Sequence, residues 1–248
     1  MNNPYEIEGP AVISFSGGRT SGYMLRKVLD AHNGQLPKDV HVIFSDTGQE
    51  RSETYAFVRD CANQWGVDIT WVERPGQFTR LITDKKYLPN VMARFCTQEL
   101  KLTPMRKWML ARGYDHWDNA VGIRADEPRR IARIKESAEK RKDRWDIVLP
   151  LATAGVGLPD VLQFWGEQAF DLTAKDSNCT GCFLKGYGAL RNVARDEPEI
   201  LEWWAKQEER IGATFRKDRP SYRAMLNQPD LFKEGMLDED LIECACTD

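Results

Sequence analysis

This chain of 248 residues has three histidines, no long apolar run and no excess of positive charge. No stretch approaches the roughly 18 apolar residues that a bilayer-spanning helix needs, so we expect no membrane partner. The N-terminal sequence MNNPYEIEGP lacks the basic segment and apolar run of a secretory signal, and we therefore expect a cytoplasmic protein. The three histidines have no metal-ligand spacing and no neighbouring nucleophile, so we assign no role to His32, His41 or His116.

The formal net charge is −3, which excludes a global positive field of the kind that attracts nucleic acid. Residues 124–144 are a local exception, with nine basic against five acidic side chains. After Lys233 the charged side chains are all acidic: Glu234, Asp238, Glu239, Asp240, Glu243 and Asp248. These basic side chains would suit either a nucleic-acid acceptor or a bound nucleotide. The simpler alternative is that they belong to a helix exposed to solvent.

Strand and helix patterns alternate along the first two thirds of the chain. Short apolar strands are predicted at residues 11–15, 40–44, 67–72, 119–123 and 147–149, and helices at 22–31 and 53–65. Further helices are predicted to begin at Thr103, as N-cap before Pro104, and at Pro159. The alternation predicts an α/β fold: a doubly wound, mostly parallel sheet with helices on both faces.

The pattern changes after residue 170 to helices and irregular segments that carry cysteines. We therefore predict a nucleotide-binding α/β domain at residues 1–170. Residues 171–248 are predicted to form a helical, cysteine-bearing appendage with an acidic tail, packed over the active face. The sequence leaves the oligomeric state open, and a homodimer is among the assemblies it allows.

The strongest local motif follows the first strand and precedes the first helix. Two glycines let the backbone N–H groups approach an anion, two hydroxyls add donors, and the helix contributes its positive N-terminal end. This pattern predicts a phosphate-binding loop made of Ser16, Gly17, Gly18, Arg19, Thr20 and Ser21. A plain Gly-Gly turn with a serine cap is the alternative.

Six cysteines in a reducing compartment favour metal binding or redox chemistry over disulfides. Cys179-Thr-Gly-Cys182 places two thiolates within reach of one metal, with Gly181 easing the turn between them. A structural zinc site and unliganded thiols are the alternatives to a redox centre. Cys61 lies on the apolar face of a predicted helix and is interpreted as a core residue.

The loop sequence Ser-Gly-Gly-x-x-Ser after a first strand resembles the pyrophosphate-binding loop of the adenine-nucleotide α-hydrolase superfamily. That superfamily includes ATP pyrophosphatases and phosphoadenosine phosphosulfate (PAPS) reductases. Its commonest loop has Asp where this chain has Thr20. The resemblance implies an adenine nucleotide as ligand: ATP, PAPS or its analogue without the 3′-phosphate, APS.

Two further segments resemble the PAPS reductases. Residues 44–50, Phe-Ser-Asp-Thr-Gly-Gln-Glu, with Glu53-Thr54 after them, match their Asp-Thr-Gly…Glu-Thr segment. A carboxylate at Asp46 would hold Mg²⁺ or a ribose hydroxyl, while Thr47 and Gly48 turn tightly against the nucleotide; a helix N-cap is the alternative for Asp46.

Residues 121–127, Val-Gly-Ile-Arg-Ala-Asp-Glu, match the family's Gly-hydrophobe-Arg segment. Gly122 belongs to this segment, and Arg124 suits an oxyanion contact, with Arg129 or Arg130 as a weaker second. Lys101 either pairs with a phosphate or is solvated.

In the iron–sulfur branch of these reductases, a Cys-Cys pair and a distant Cys-x-x-Cys hold a [4Fe–4S] cluster. Cys96, followed by Thr-Gln-Glu-Leu-Lys, resembles the second cysteine of that pair, and Phe95 stands in place of the first. The resemblance implies three cluster ligands: Cys96, Cys179 and Cys182. The fourth would be Cys244, Cys246, an external sulfur or a substrate.

Glu243-Cys244 resembles the C-terminal segment that carries the reductases' catalytic cysteine, without the Gly and His that follow there. The resemblance implies that Cys244 attacks the sulfur of a sulfonucleotide, with a thioredoxin-like reductant completing the reaction. An acidic tail with incidental cysteines is the alternative.

Three functions follow from these patterns. The first is reduction of PAPS or APS to sulfite, with Cys244, Asp46 and Arg124 as catalytic residues. The second is an ATP pyrophosphatase that adenylates a tRNA, DNA or small-molecule acceptor for iron–sulfur-dependent thiolation. The third is a non-catalytic protein that binds a nucleotide and a metal. The Asp-Thr-Gly, Gly-Ile-Arg and Glu-Cys segments place the reductase first, whereas the complete loop favours ATP.

Overall fold

The computed structural model describes residues 3–140, 143–174 and 179–227, without the side chains of residues 139 and 140. Within these ranges five parallel strands form one sheet in the order β3-β2-β1-β4-β5. The strands are β1 (Ala11–Ser14), β2 (Val40–Asp46), β3 (Ile69–Glu73), β4 (Trp117–Val121) and β5 (Trp145–Val148).

Helices connect the strands and follow the sheet. They are α1 (Arg19–Ala31), α2 (Ser52–Trp65), α3 (Gln77–Lys85), α4 (Phe95–Thr97), α5 (Thr103–Leu110), α6 (Pro128–Lys140), α7 (Pro150–Thr153), α8 (Leu158–Gly166), α9 (Tyr187–Asp196), α10 (Pro198–Ile211) and α11 (Tyr222–Asn227). A π-helical turn, Gln98–Leu102, joins α4 to α5. Within the described ranges no helix has the length and apolar character needed to cross a membrane.

The chain winds outward from β1 to β3 and then returns to place β4 on the other side of β1. Ser14, the last residue of β1, is in register with Ile43 of β2 and Val121 of β4. The order therefore reverses at β1, and in sheets of this kind ligands bind at the carboxyl ends of the strands flanking the reversal. The predicted phosphate loop follows β1 at that edge.

Both faces of the sheet are covered. Strand residues such as Ile13 and Phe44 pack with α1, α2 and α8 in one cluster. On the opposite face Val12 and Ile43 pack against Met105 and Met109 of α5. The prediction of a doubly wound α/β fold with helices on both faces is therefore confirmed.

A separate hydrophobic cluster joins the helices after residue 178 to earlier parts of the chain. Trp204 of α10, Leu190 of α9 and Tyr222 of α11 share it with Phe78 of α3 and Leu100 of the π turn. This cluster also contains Cys179 and Cys182. The segment with Cys179 and Cys182 is thus packed against residues that precede it and residues that follow it. The predicted domain boundary at residue 170 stays a prediction.

Thr103 is not a helix N-cap, so that prediction was wrong. Thr103 has helical torsion angles (φ −67°, ψ −46°), and the helical path already begins at Phe95. Pro104 has no N–H for the carbonyl of Leu100, and its ring crowds that carbonyl in a regular α-helix. The wider π turn just before Pro104 makes room for the proline ring. The helix therefore continues through Thr103, where the sequence predicted that it would begin.

Strand boundaries also differ from prediction by one or two residues, and local turns explain two of these differences. Val67 donates its N–H to the Ala62 carbonyl (3.1 Å), so it still belongs to the end of α2, and β3 begins two residues later. At the other boundary the Ile123 N–H bonds to the Val121 carbonyl (2.9 Å), a tight turn that ends β4 before Gly122. Both differences come from local turns at the ends of elements.

Candidate functional site

The loop after β1 is organised by the side chain of Ser21. Its Oγ accepts hydrogen bonds from the N–H groups of Ser16 (3.2 Å) and Gly18 (3.3 Å) and lies 3.0 Å from Ser16 Oγ. Because Ser21 is in the first turn of α1, these bonds hold the loop at the positive N-terminal end of that helix. The arrangement is suited to holding an anion above Gly18 and the start of α1.

Gly17 is required by both conformation and space. Its φ of +76° is in the left-handed region, and a Cβ at this position would meet Thr54 Cγ2 at 2.7 Å and Val58 Cγ2 at 3.1 Å. Thr54 and Val58 are on α2, so this helix supports the loop from below. Thr54, in the Glu53-Thr54 part of the matched segment, therefore contributes packing beneath the loop.

Arg19 is directed away from the turn of the loop. Its guanidinium forms a two-pronged ion pair with Asp171 (2.8 Å for Nε–Oδ1 and Nη2–Oδ2) and donates to the Leu172 carbonyl. Its own carbonyl accepts the indole N–H of Trp165 (2.8 Å). These contacts attach the start of α1 to the segment after α8, and a nucleotide contact by the Arg19 side chain stays a prediction.

The end of β4 lies directly against the loop. A Cβ on Gly122 would approach the Ser21 Cα to 3.2 Å, so glycine permits this close approach. The buried Arg124 guanidinium reaches the loop, with Nη1 3.4 Å from Thr20 Oγ1. Arg124 Nε donates to Asp126 Oδ1 (2.8 Å), which orients the guanidinium.

Asp126 and Glu127 complete this corner. The Asp126 carboxylate also accepts the Leu158 N–H (2.7 Å) at the start of α8. Partial burial acts to raise the pKa of Asp126, but the bonds from Leu158 and Arg124 outweigh it and lower the pKa. Glu127 accepts the N–H of Arg124 (2.9 Å) and a bond from Arg130 Nη1 (2.8 Å). Arg130 therefore supports the Arg124 turn through Glu127.

Asp46 ends β2, and its side chain shapes the turn that follows. The Gly48 N–H and the Tyr55 hydroxyl both donate to Asp46 Oδ1, each at 2.7 Å. Gly48 has φ +75°, as the Asp-Thr-Gly resemblance implies for a tight turn. Partial burial and the bond to Asp46 raise the pKa of Tyr55, so its hydroxyl stays protonated as a donor.

Glu50 is central to the site, although the sequence predicted no role for it. Its buried carboxylate accepts the Thr47 hydroxyl (2.7 Å), the Thr47 N–H (3.1 Å) and the Gln49 N–H (3.3 Å). Burial is the main cause that raises the pKa of Glu50, and Lys101 and the bonds from Thr47 act against it. Its place inside the matched segment 44–50 was the available signal, but its contact with Cys179 depends on a segment much later in the chain.

The three predicted cluster ligands come together in one cavity. Cys96, Cys179 and Cys182 line a small cavity that is partly open to solvent, together with Thr47 and Lys101. Cys179 Sγ lies 3.4 Å from Thr47 Oγ1 and 3.8 Å from Glu50 Oε1. The fold thus brings Cys96 to a Cys-x-x-Cys pair that is more than 80 residues away along the chain.

The Cys-x-x-Cys segment is fixed as a compact turn. The Cys182 N–H donates to the Cys179 carbonyl (3.0 Å), and the Thr180 N–H donates to the Gln49 carbonyl (2.7 Å). Gly181 lies against the Trp204 ring, where a Cβ would come within 2.4 Å of Cδ1. Gly181 is therefore needed for packing against Trp204.

Three cysteine thiols line the cavity, and thiolates are the ligands that soft metals and iron–sulfur clusters use. Lys101 places a positive charge in the same wall. Within the described ranges, however, no three His, Cys, Asp or Glu side chains are arranged closely enough to hold a single metal ion. Cys244 and Cys246, the predicted fourth ligands, lie outside the described residues, as does the predicted catalytic role of Cys244. The cluster and the zinc alternative both stay predictions.

Lys101 lies with the cysteines in the cavity wall. Its carbonyl accepts the Ser45 hydroxyl (3.4 Å), which attaches the π turn to the end of β2. The positive charge of Lys101 is close enough to Glu50 to act on the pKa of that carboxyl group. A phosphate contact by Lys101 stays a prediction. Cys61, by contrast, is fully buried on α2, and burial raises its thiol pKa well above the usual range.

Comparison with known proteins gives a consistent family. The family model for the phosphoadenosine phosphosulfate reductase domain matches residues 10–156. The chain is 32% identical over 217 residues to the uncharacterized nin region protein ORF290 of Escherichia phage lambda, covering 75% of this chain and 70% of that protein. It is 33% identical over 219 residues to an uncharacterized protein of Methanocaldococcus jannaschii, covering 82% of this chain but 42% of that longer protein.

Two solved structures align with this chain. The U34-tRNA thiolase NcsA of Methanococcus maripaludis, solved with its [4Fe–4S] cluster, aligns with a TM-score of 0.50, 16% identity and coverage of 100% of this chain and 80% of that one. The phosphoadenylyl-sulfate reductase of Candida auris, a phosphate complex, aligns with a TM-score of 0.48, 16% identity and coverage of 69% and 82%. At this identity the similarity concerns the fold alone.

Proposed function

Because this chain belongs to the phosphoadenosine phosphosulfate reductase domain family, we propose that it is an enzyme that binds an adenine nucleotide at residues 16–21 and performs sulfur chemistry at the cysteine cavity. One observation carries the proposal: a single turn after β2 serves both places. Asp46 ends the strand beside the phosphate loop, and the next residue, Thr47, lines the cavity and contacts Cys179.

The nucleotide half of the proposal uses the loop, β4 and β2. The N–H groups at the start of α1 would hold a phosphate or phosphosulfate group, and Arg124, already directed at Thr20, would pair with its oxygens. Asp46 would bind Mg²⁺ or a ribose hydroxyl through its carboxylate. Because the planar Arg124 guanidinium is held in one orientation, its pairing with the phosphate oxygens would depend on geometry as well as on charge.

The cysteine half assigns Cys96, Cys179 and Cys182 to a [4Fe–4S] cluster, with Cys244, Cys246, an external sulfur or the substrate as fourth ligand. Bound there, the cluster would supply an iron with affinity for sulfur. The chain's own contribution is to orient Cys179 through Thr47 and to exclude bulk water with Phe183 and Trp204. A single zinc is the alternative occupant.

For the reaction, we place reduction of a sulfonucleotide first. The Cys244 thiolate would attack the sulfur of PAPS or APS, forming an S–S bond and breaking the S–O bond, so that the nucleotide leaves with the bonding electron pair. A thioredoxin-like dithiol would then release sulfite from the enzyme thiosulfonate and become a disulfide. The Asp-Thr-Gly turn and the Arg124 segment support this assignment.

ATP-dependent thiolation is the second candidate, and the described geometry favours it in one respect. The complete Ser-Gly-Gly-x-x-Ser loop and a cavity with three cysteines are both formed by residues within the described ranges. ATP would be cleaved between its α and β phosphates to adenylate an acceptor, and sulfur would displace AMP. The basic residues 124–144 would suit a tRNA or DNA acceptor.

The test begins with anaerobic purification and measurement of iron, sulfide and zinc. About four iron and four sulfide per chain are expected, with large losses in Cys96→Ser, Cys179→Ser and Cys182→Ser. Cys61→Ala is the control, since Cys61 is buried in another cluster and should leave the metal content unchanged. One zinc and no sulfide would contradict the cluster assignment.

Product assays then separate the candidate reactions. Release of sulfite from PAPS or APS supports the reductase, and release of pyrophosphate from ATP supports the second candidate. If a nucleotide binds but neither product forms, the chain is a non-catalytic nucleotide-binding protein. If no adenine nucleotide binds, the proposed function is wrong.

A further inference from the structure

The first turn of α1 carries no acidic side chain. Thr20, the second residue of this helix, stands where the related loops have an aspartate. Its hydroxyl is uncharged and does not offset the positive N-terminal end of the helix. The phosphate loop of this chain therefore has one negative charge fewer than a loop with the usual aspartate.

Arg124 faces this uncharged position. Its side chain is only 8% exposed, and its Nη1 lies 3.4 Å from Thr20 Oγ1. Water and salt screen a buried charge less than a surface charge, so this guanidinium acts strongly on any anion held at the loop. The chain thus supplies a fixed positive charge of its own beside the start of α1.

Two carboxylates lie near Arg124, and each also accepts a hydrogen bond from another residue. Asp126 accepts Arg124 Nε (2.8 Å) and the Leu158 N–H (2.7 Å). Glu127 accepts Arg130 Nη1 (2.8 Å), and its Oε2 is 3.9 Å from Arg124 Nη1. These carboxylates orient the guanidinium, and neither belongs to the phosphate loop.

Asp46 is the carboxylate for which the sequence left Mg²⁺ and a ribose hydroxyl open. Its Oδ1 already accepts the Gly48 N–H and the Tyr55 hydroxyl, each at 2.7 Å. Mg²⁺ demands a near-ideal octahedral arrangement of oxygen ligands, whereas a ribose hydroxyl needs a single acceptor. An Asp46 carboxylate with one oxygen engaged in this way fits the ribose hydroxyl better.

We propose that Thr20 is a specificity-determining residue: because it leaves the loop without a carboxylate, Arg124 takes the place of Mg²⁺, and the loop binds a nucleotide that carries no divalent cation. This inference rests on the proposed function, since it requires an adenine nucleotide at residues 16–21. An aspartate at position 20 would pair with Arg124 and repel the ligand's phosphates. A divalent cation would then be needed to bridge the two negative groups.

The test measures the binding of ATP and of APS to the full chain by isothermal titration calorimetry. Each titration is done in buffer freed of divalent cations by a chelating resin and again with excess Mg²⁺. The wild type should have a similar Kd in both buffers. Thr20→Asp should raise the Kd at least roughly tenfold without Mg²⁺, and added Mg²⁺ should relieve most of this loss.

Thr20→Asn is the matched control, because asparagine has the shape of aspartate without its charge; its binding should not depend on Mg²⁺. Thr20→Asp should fold, since an acidic residue is favourable in the first turn of a helix, and urea unfolding checks this. An equal loss of binding in Thr20→Asn would overturn the proposal, because the effect would then come from shape.

The wild type tests the proposal without any variant. A wild-type Kd that falls roughly tenfold or more when Mg²⁺ is added would overturn the inference and leave the proposed function intact. So would a folded Thr20→Asp variant that binds as tightly as the wild type without Mg²⁺, or one whose loss Mg²⁺ does not relieve. Absence of nucleotide binding in both buffers would overturn the inference and the proposed function together.

Discussion

The guanidinium of Arg124 lies 3.4 Å from the Thr20 hydroxyl, so the end of β4 is joined to the phosphate loop after β1. The two residues are separated by 104 positions in the sequence. They meet because the strand order reverses between β1 and β4, which places the two carboxyl ends side by side. Thr20 stands where the related loops have an aspartate, and here an arginine faces it.

Arg124→Lys should therefore weaken nucleotide binding more than it weakens the fold. A lysine keeps the charge but loses the planar group that reaches both Asp126 and Thr20. A hydrogen bond to a charged group contributes about 1.5–3 kcal/mol, so the Kd should rise roughly tenfold to a hundredfold. Isothermal titration with ATP, APS and PAPS measures this. Arg133→Lys on the exposed part of α6 is the control, and an equal loss in both variants would contradict the assigned role.

Gly17→Ala should destabilise the protein more than Gly34→Ala. Both glycines have positive φ (+76° and +83°), so both variants share a backbone cost of about 1–2 kcal/mol. Only at Gly17 would the methyl group collide with α2, adding about 1–3 kcal/mol, since nothing lies within 4 Å of a Cβ at Gly34. Urea unfolding of the two variants gives the difference directly. Equal midpoints would show that α2 yields to the extra methyl group.

The loop and the sheet could be predicted because their signals are local. Apolar alternation, a Gly-Gly pair and a following helix are neighbours in the sequence, and the parallel connection rules then fix where the loop lies. The strands were correctly identified, although their ends shifted by a residue or two at local turns. The start of the helix before Thr103 was missed because a proline signal was interpreted without the π turn that accommodates it.

The place of Glu50 could not be assigned from sequence because it depends on contact with a distant segment. Glu50 meets Cys179 only when Cys179 and Thr180 pack against the turn after β2. Cys96 and the Cys-x-x-Cys pair were grouped through the family resemblance, whereas no local pattern connects them. The contacts of Arg19 with Asp171 and Leu172 likewise depend on the path of the chain after α8.

Gly181→Ala should disturb the cysteine cavity while Gly166→Ala should not. A methyl group at residue 181 would press on the buried Trp204 ring, which cannot move easily because its indole N–H bonds to Thr180 (3.1 Å). Overpacking of this kind costs about 1–3 kcal/mol, which corresponds to roughly 2–4 °C in Tm per kcal/mol for a chain of this size. The same displacement should lower the iron bound per chain. Gly166 has open space around its Cβ position, so its variant should keep both Tm and iron.

Glu208 should make a pH-dependent contribution to the helices after residue 178. Its buried carboxylate accepts the N–H groups of Phe215 (3.0 Å) and Tyr222 (2.8 Å), and burial raises its pKa above that of an unfolded glutamate. The folded state then holds the proton more tightly, so this contribution is full below the unfolded pKa and is lost as pH rises through the folded value. Glu208→Gln cannot titrate. The stability difference between wild type and variant, measured by urea unfolding from pH 4 to 8, should shift against the wild type as pH rises, and a shift the other way would contradict this.

Removing the two tail cysteines should separate the candidate reactions. In the reductase, Cys244 is the nucleophile, so Cys244→Ala should abolish sulfite release from PAPS or APS even when nucleotide binding is intact. In an ATP pyrophosphatase the tail thiols take no part in cleaving ATP, so pyrophosphate release should survive in Cys244→Ala and Cys246→Ala. Cys61→Ala is the control in both assays because that thiol is buried on α2. Sulfite release that persists without Cys244 would remove it as the nucleophile. Loss of pyrophosphate release would indicate instead that the tail helps to build the nucleotide site, since its thiols have no chemical role in that cleavage.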